Sequence, residues 1–216
     1  MRADDRAAFV RDNTEVLPVP LVPEVRLHLA HEAVPIWQKT EEQLAEIGLP
    51  PPFWAFAWAG GQALARYVLD HIEMVRGRSV LDLASGSGLV GIAAAKAGAA
   101  HVLCADVDVF SVEAVRLNAA LNGVAVDVTQ EDLLARDLPA FGCVLVGDLF
   151  YEKGLAQAAL AFLHRQQSAG ATVLVGDPGR SYLPREALVQ VAEYSVPVSR
   201  ELEDSEIKRT AVWRLR

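Results

Sequence analysis

Four carboxylates and one glycine turn are spaced so that they could do chemistry. Asp82 lies in the apolar run Ser79-Val80-Leu81-Asp82-Leu83, four positions before the first glycine of Ser85-Gly86-Ser87-Gly88, and a helix-forming run follows over 89–97. A strand that passes through glycines into a helix is built to hold a ligand. Its backbone can approach closely, and the free N–H groups of the first helical turn present the positive end of the helix dipole. Asp106 closes a second strand-type run, His101-Val102-Leu103-Cys104-Ala105, where a carboxylate can accept both hydroxyls of a ribose. Asp132 follows a third run over 125–129, and Asp148 and Tyr151 follow a fourth, Cys143-Val144-Leu145-Val146-Gly147. A carboxylate at that fourth strand end suits a cationic amine.

The glycines alone leave the ligand open. Gly86, Gly88 and Gly91 also spell G-x-G-x-x-G, and Asp106 stands about where a nicotinamide dinucleotide site needs its ribose-binding acid. Asp82 discriminates, because a buried carboxylate in mid-strand needs a partner. The D-x-x-x-G-x-G spacing resembles the first signature of Rossmann-like S-adenosylmethionine methyltransferases. That resemblance implies that Asp82 faces the positively charged methionine part of the cofactor and that Asp132 accepts a hydrogen bond from the adenine amino group. Acids at three consecutive strand ends favour it over the nicotinamide reading, and an ordinary strand-to-helix turn is the plain structural alternative.

At 216 residues the chain suits one α/β domain, and its 52% hydrophobic content supports a large core. No run of about 18 uncharged apolar residues is present, so no membrane partner is expected. The start, Met1-Arg2-Ala3-Asp4-Asp5-Arg6, lacks the apolar segment of a secretory signal, and Cys104 and Cys143 both fall in expected buried strands. A reducing, cytoplasmic location is the expectation. With no C-x-x-C and no ligand spacing among the five histidines, no metal is expected. A net charge of −8 disfavours nucleic acid.

The elements that must position these residues can be read in order. Residues 1–60 form an N-terminal accessory region and 61–216 a Rossmann-like core. In the first region a frayed helix over 4–11, a half-exposed strand over 24–29 and an amphipathic helix over 36–47 are separated by Pro18, Pro20, Pro23, Pro35 and Pro50-Pro51-Pro52. In Phe53-Trp54-Ala55-Phe56-Ala57-Trp58, Trp54 and Phe56 read as core. Trp58 precedes Gly60-Gly61 at the start of a helix over 62–73, which places it at the rim of the cofactor pocket. Asp108 caps a helix over 111–122, a further helix covers 153–166, and a fifth strand covers 171–176. Then come a helix over 184–192 and two alternating runs, 194–200 and 208–215, separated by the acidic loop 201–206. The expected fold is a seven-stranded, mostly parallel sheet with an antiparallel last strand and helices on both faces.

Trp58-Ala59-Gly60-Gly61-Gln62, the run 79–91, Asp148-Leu149-Phe150-Tyr151 and Gly176-Asp177-Pro178-Gly179-Arg180, in that order, resemble the electron transfer flavoprotein beta-subunit lysine methyltransferases and their bacterial relatives. The resemblance covers nearly the whole chain. It implies a class I enzyme using S-adenosylmethionine, with S-adenosylhomocysteine as product and a lysine of the flavoprotein beta subunit as acceptor; a monomer is the expectation for its assembly. Asp148 would attract and orient the amine, and Tyr151 would wall its channel. Ala59 departs from the family pattern, where proline is expected, leaving the backbone at Trp58 less fixed. A ribosomal-protein methyltransferase (L11-type or L7/L12), a small-amine N-methyltransferase and a nicotinamide-dependent oxidoreductase are the competing readings.

Overall fold

Runs of Val and Leu between glycine turns make the central strands, and the whole order follows the chain. The computed structural model describes residues 3–30, 51–198 and 206–216. The helix expected over 36–47, Pro35, Pro50, the end of the strand expected over 194–200, and 201–205 of the acidic loop lie outside the described residues. Helix α1 (Ala3–Asp12) leads into the hairpin of β1 (Glu15–Val19) and β2 (Val22–Leu29), and α2 spans Ala59–Asp70. Then β3 (Ser79–Leu83), α3 (Leu89–Lys96), β4 (His101–Ala105), α4 (Val109–Leu121) and β5 (Asp127–Thr129) alternate. Strand β6 (Cys143–Gly147), α5 (Lys153–Ser168), β7 (Thr172–Asp177), β8 (Leu188–Pro197) and β9 (Ile207–Leu215) complete the order.

The large sheet has the order β5-β4-β3-β6-β7-β9-β8. Strands β3 to β7 pair in parallel, and β9 runs antiparallel between β7 and β8. The inner strands are buried on both faces, so they read as continuous apolar runs while their side chains alternate. Val80, Leu145, Leu174 and Val212 pack in one core with Leu64 of α2, Ile92 of α3 and Val115 of α4. Leu81, Val144, Val146 and Val175 face the other way onto Phe162 and Leu163 of α5. Chain order reverses between β3 and β6, and a crevice opens at the carboxyl ends of strands at such a switch point.

Two elements differ from the sequence reading. The helix expected over 184–192 is a 3-10 turn, Arg185–Ala187, followed by β8. Pro184-Arg185-Glu186-Ala187 reads as a helix start, but Val189, Val191, Tyr194 and Val196 are strand formers, and their pairing with β9 overrides it. Strand β1 was not expected, because Pro18 and Pro20 read as breakers. Pro18 is tolerated because β1 pairs with β2 alone, with a register shift at Pro18/Val19.

Helix α2 begins three residues earlier than expected, at Ala59, and its first turn lies directly on the ends of β6 and β7. A Cβ on Gly60 would come within 2.2 Å of the Gly176 carbonyl and 2.6 Å of Asp148 Oδ2. A Cβ on Gly61 would meet nothing closer than 3.9 Å. Gly60→Ala is therefore expected to destabilise the protein by at least about 2 kcal/mol through overpacking. Gly61→Ala should be neutral or stabilise by up to about 1 kcal/mol through helix propensity. Urea denaturation of the neighbouring pair separates these outcomes, and equal effects would refute the close approach.

Candidate active site

A cavity of about 520 Å³ occupies the switch-point crevice, lined from β3, β4 and β6 and from the loops that follow them. At one end is Asp106, immediately after β4. The Gly86 N–H donates to its Oδ2 at 2.8 Å and the Asp108 N–H to its Oδ1 at 2.9 Å. The carboxylate lines the cavity with two acceptor oxygens, the pattern a vicinal diol needs, and the Ser111 hydroxyl also bonds to it. Gly86 takes φ +52° to make this turn, a backbone setting that favours glycine. Ser85 Oγ, in a lining residue, is buried without a hydrogen-bond partner among the described residues.

Asp82 is only 1% exposed, and its partner is the helix it faces. The Gly91 N–H in the first turn of α3 donates to Asp82 Oδ2 at 2.7 Å. A Cβ on Gly91 would lie 2.5 Å from Cys104 Sγ, so the third glycine of the motif lets α3 press onto β3 and β4. Burial pushes the Asp82 carboxyl from its ordinary 3.8 to about 8, with the Asp106 charge adding to the rise and the Gly91 N–H opposing it. Asp106 is also raised, by burial, against the pull of the Asp108 and Gly86 N–H groups.

Gly88 is the N-cap of α3 at φ +79°, and a Cβ there would meet Val115 at 3.1 Å. It shapes the turn and is absent from the cavity wall. Asp132 lines the cavity from the loop beyond β5, where its Oδ1 accepts the Leu134 N–H. The three acids thus differ in placement: Asp82 is inside its strand, Asp106 just past β4, and Asp132 three residues past β5. Asp108 caps α4 by accepting the Phe110 N–H, as expected.

The other end is built around Asp148. Its backbone is left-handed at φ +54°, which turns the side chain under the first turn of α2. The Gly61 N–H donates to Oδ2 at 2.9 Å, and Arg180 donates to Oδ1 from Nη2 at 2.8 Å and Nε at 3.2 Å. Burial raises the Asp148 carboxyl to about 6; the Arg180 charge restrains the rise and the Asp177 charge adds to it. The expectation of a carboxylate waiting for a cation is corrected here, because Arg180 already pairs with it. Trp58 does line the cavity, held by its Nε1–H donating to the Phe53 carbonyl at 2.9 Å, with the Arg180 guanidinium 5.7 Å above its ring. Exposed Tyr151 and Phe53, with ring centroids 5.8 Å apart, stand at the same end. Trp54 and Phe56 are buried, as expected.

Arg180, which lines the cavity and pairs with Asp148, was left unassigned by sequence reasoning, although Gly176-Asp177-Pro178-Gly179-Arg180 marked its turn. Asn118 was missed entirely. This buried amide donates to the Ser87 carbonyl at 2.8 Å and accepts the His28 N–H at 2.8 Å, tying the glycine turn to β2.

Comparison with known proteins gives this geometry a family. The chain is 37% identical to the electron transfer flavoprotein beta subunit lysine methyltransferase of Xenopus laevis, over 95% of this chain and 85% of that protein. It is 36% identical to the human protein of that name, over 95% and 80%. This chain belongs to the electron transfer flavoprotein beta subunit lysine methyltransferase family. Residues 33–144 also match the family model described as ribosomal protein L11 methyltransferase (PrmA). Two solved structures share the fold. A ribosomal protein L11 methylase from Lactobacillus delbrueckii subsp. bulgaricus has a TM-score of 0.52 at 23% identity, covering 74% of this chain and 81% of that one. Magnesium protoporphyrin IX methyltransferase from Synechocystis with bound SAM has 0.52 at 15%, covering 73% and 80%. The seven-stranded sheet is that of the class I Rossmann-like methyltransferases, which use S-adenosylmethionine as a class.

The raised carboxyl in this methyltransferase makes stability depend on pH. The folded-state value of Asp82 exceeds the unfolded one, so its contribution is intact below pH 4 and is lost as pH rises through about 8. Asp82→Asn keeps an acceptor for the Gly91 N–H and removes the titration. It should leave thermal stability nearly unchanged at pH 3.5 and raise Tm at pH 8 by at least about 3 °C, roughly 1 kcal/mol for a chain of this size. An equal Tm shift at both pH values, measured by calorimetry, would contradict this assignment.

Proposed function

We propose that this chain transfers methyl groups from S-adenosylmethionine to lysine side chains of the electron transfer flavoprotein beta subunit, as a monomeric cytoplasmic enzyme. The substrate assignment is supported by relatives of that name, matched over nearly the full chain. The observation that carries the chemistry is that one cavity joins the diol-accepting Asp106 to the Asp148–Arg180 pair across the switch point.

When bound, S-adenosylmethionine supplies a methyl group already activated by its sulfonium centre. In this reading Asp106 accepts the ribose hydroxyls, Gly86 lets the backbone approach, and Asp82 offsets the cationic methionine part. Asp132 receives the adenine amino group. Gly88 contributes through the turn it fixes. Trp58 and Tyr151 wall the acceptor channel, and Asp148 orients the amine at its inner end. Most of the rate then comes from holding the amine in line in a site that excludes water. A lysine, with an ordinary pKa near 10.4, must lose its proton to water before attack.

Incubation of the purified protein with radiolabelled S-adenosylmethionine and a lysate of cells lacking its gene should label a band of the size of the flavoprotein beta subunit. A small ribosomal band instead would favour the L11-type reading, for which the family match over 33–144 speaks. Asp106→Ala, by removing two charged acceptors, should weaken S-adenosylmethionine binding in calorimetry by about 10- to 100-fold. Unchanged affinity would remove Asp106 from the cofactor site.

A further inference from the structure

The acceptor end of the cavity is a box for a cation, with a carboxylate, Asp148, on one side and an aromatic face, Trp58, on the other. The chain fills that box with its own guanidinium. Arg180 donates from Nη2 and Nε to Asp148 Oδ1 while the Gly61 N–H donates to Oδ2, and the two side chains are only 21% and 11% exposed. The arginine is fixed at its root as well. Asp177 Oδ1 accepts the N–H groups of Arg180 at 2.7 Å and Gly179 at 2.6 Å, with Gly179 at φ +98°.

We infer that Arg180 determines which charge state of an amine this end of the cavity admits, excluding the ammonium form and leaving Asp148 Oδ2 to receive an N–H from the uncharged amine. The inference rests on the proposed reading of lysine methylation. Only the uncharged amine carries the lone pair that attacks a methyl group. A bare buried carboxylate would hold the ammonium form, since opposite unit charges attract far more strongly in a site screened from water than in solution. With the guanidinium beside it, attraction to the carboxylate and repulsion from Arg180 oppose each other, and a cationic neighbour is an established way to favour a neutral amine. Oδ2 accepts one N–H and keeps one lone pair, enough for a neutral donor.

Among the described residues, the following charged and titratable groups surround Arg180. Asp148 follows β6 and Tyr151 stands in the next turn; Asp177 ends β7, with its Oδ2 buried and without a partner among the described residues. Arg185 belongs to the following 3-10 turn, near Gly179, and Asp82 lines the same cavity from β3. The first turn of α2, Ala59-Gly60-Gly61, brings no charged side chain.

Two measurements test this on the full chain. In calorimetry at pH 7 with n-butylammonium chloride as probe, Arg180→Gln should bind at least ~10-fold more tightly than wild type. Arg180→Lys should resemble wild type, and adding Asp148→Asn to Arg180→Gln should abolish the gain. In the kcat–pH profile for methylation of the purified flavoprotein beta subunit, the acid limb of Arg180→Gln should move up by about one pH unit, while Arg180→Lys keeps the wild-type position. A gain confined to Arg180→Gln supports the inference. Wild type binding n-butylammonium as tightly as Arg180→Gln, or a kcat profile that falls uniformly without moving, overturns it. If wild type methylates no flavoprotein beta subunit, the acceptor assignment fails, and the ammonium titration still decides the role of Arg180.

Discussion

Everything at the acceptor end depends on one buried carboxylate being clasped from two sides. Asp148 can take a helix N–H from Gly61 and a guanidinium from Arg180 only because nothing stands between α2 and the strand ends. Gly60 and Gly176 touch backbone to backbone, and a Cβ on Gly147 would lie 3.1 Å from Gly61 Cα. The positive end of the α2 dipole is thereby aimed at the carboxylate, which offsets part of its burial. The backbone is strained to match. Ala84 after β3 and Asp148 after β6 are the positive-φ residues other than glycine among the described residues, and both lie in the cavity wall at the switch point.

The two ends of the cavity are electrostatically unlike. At the end of the cavity next to the glycine turn, burial raises the carboxyls of both Asp82 and Asp106, and the Asp106 charge adds to the rise at Asp82. Such a pair is relieved by an incoming cation, which suits a sulfonium-bearing ligand. At the acceptor end the charge is already compensated by Arg180. In the proposed reading, a ligand that carries positive charge is drawn to one end, and a neutral nucleophile is received at the other.

What the residues disclosed follows from the range of the interactions involved. Strands β3, β4, β6 and β7 were legible because each is a short apolar run rich in Val and Leu, and the turn at Gly86 and the acids Asp82 and Asp106 share a fixed local spacing. The first half of β8 was not, because its pairing with β9 is set by tertiary contact and local helix signals at Pro184 to Ala187 pointed elsewhere, whereas its end from Tyr194 on was read as a strand. Asp148 was readable from its strand end, but its partner was not. Arg180 lies 32 residues away, and a carboxylate that looks open in sequence is closed by a contact no spacing rule encodes.

The same holds for the N-terminal region, whose proline-broken sequence read as accessory. Its described parts are packed into the main body. Val22, Val25 and Leu27 of β2 share a core with Val80 and Ile92, and Val10 of α1 packs with Trp54 and Phe110. Two amides on one face of α4 complete the join. Asn122 exchanges hydrogen bonds with the backbone of Arg26, and Asn118, one turn earlier, spans from the His28 N–H to the Ser87 carbonyl. An edge strand leaves its backbone groups open, and here amide side chains close them. The glycine turn is consequently braced from behind by β2 through Asn118, so the geometry at Gly86 and Asp106 is a property of the N-terminal hairpin as well as of the strand and helix it joins.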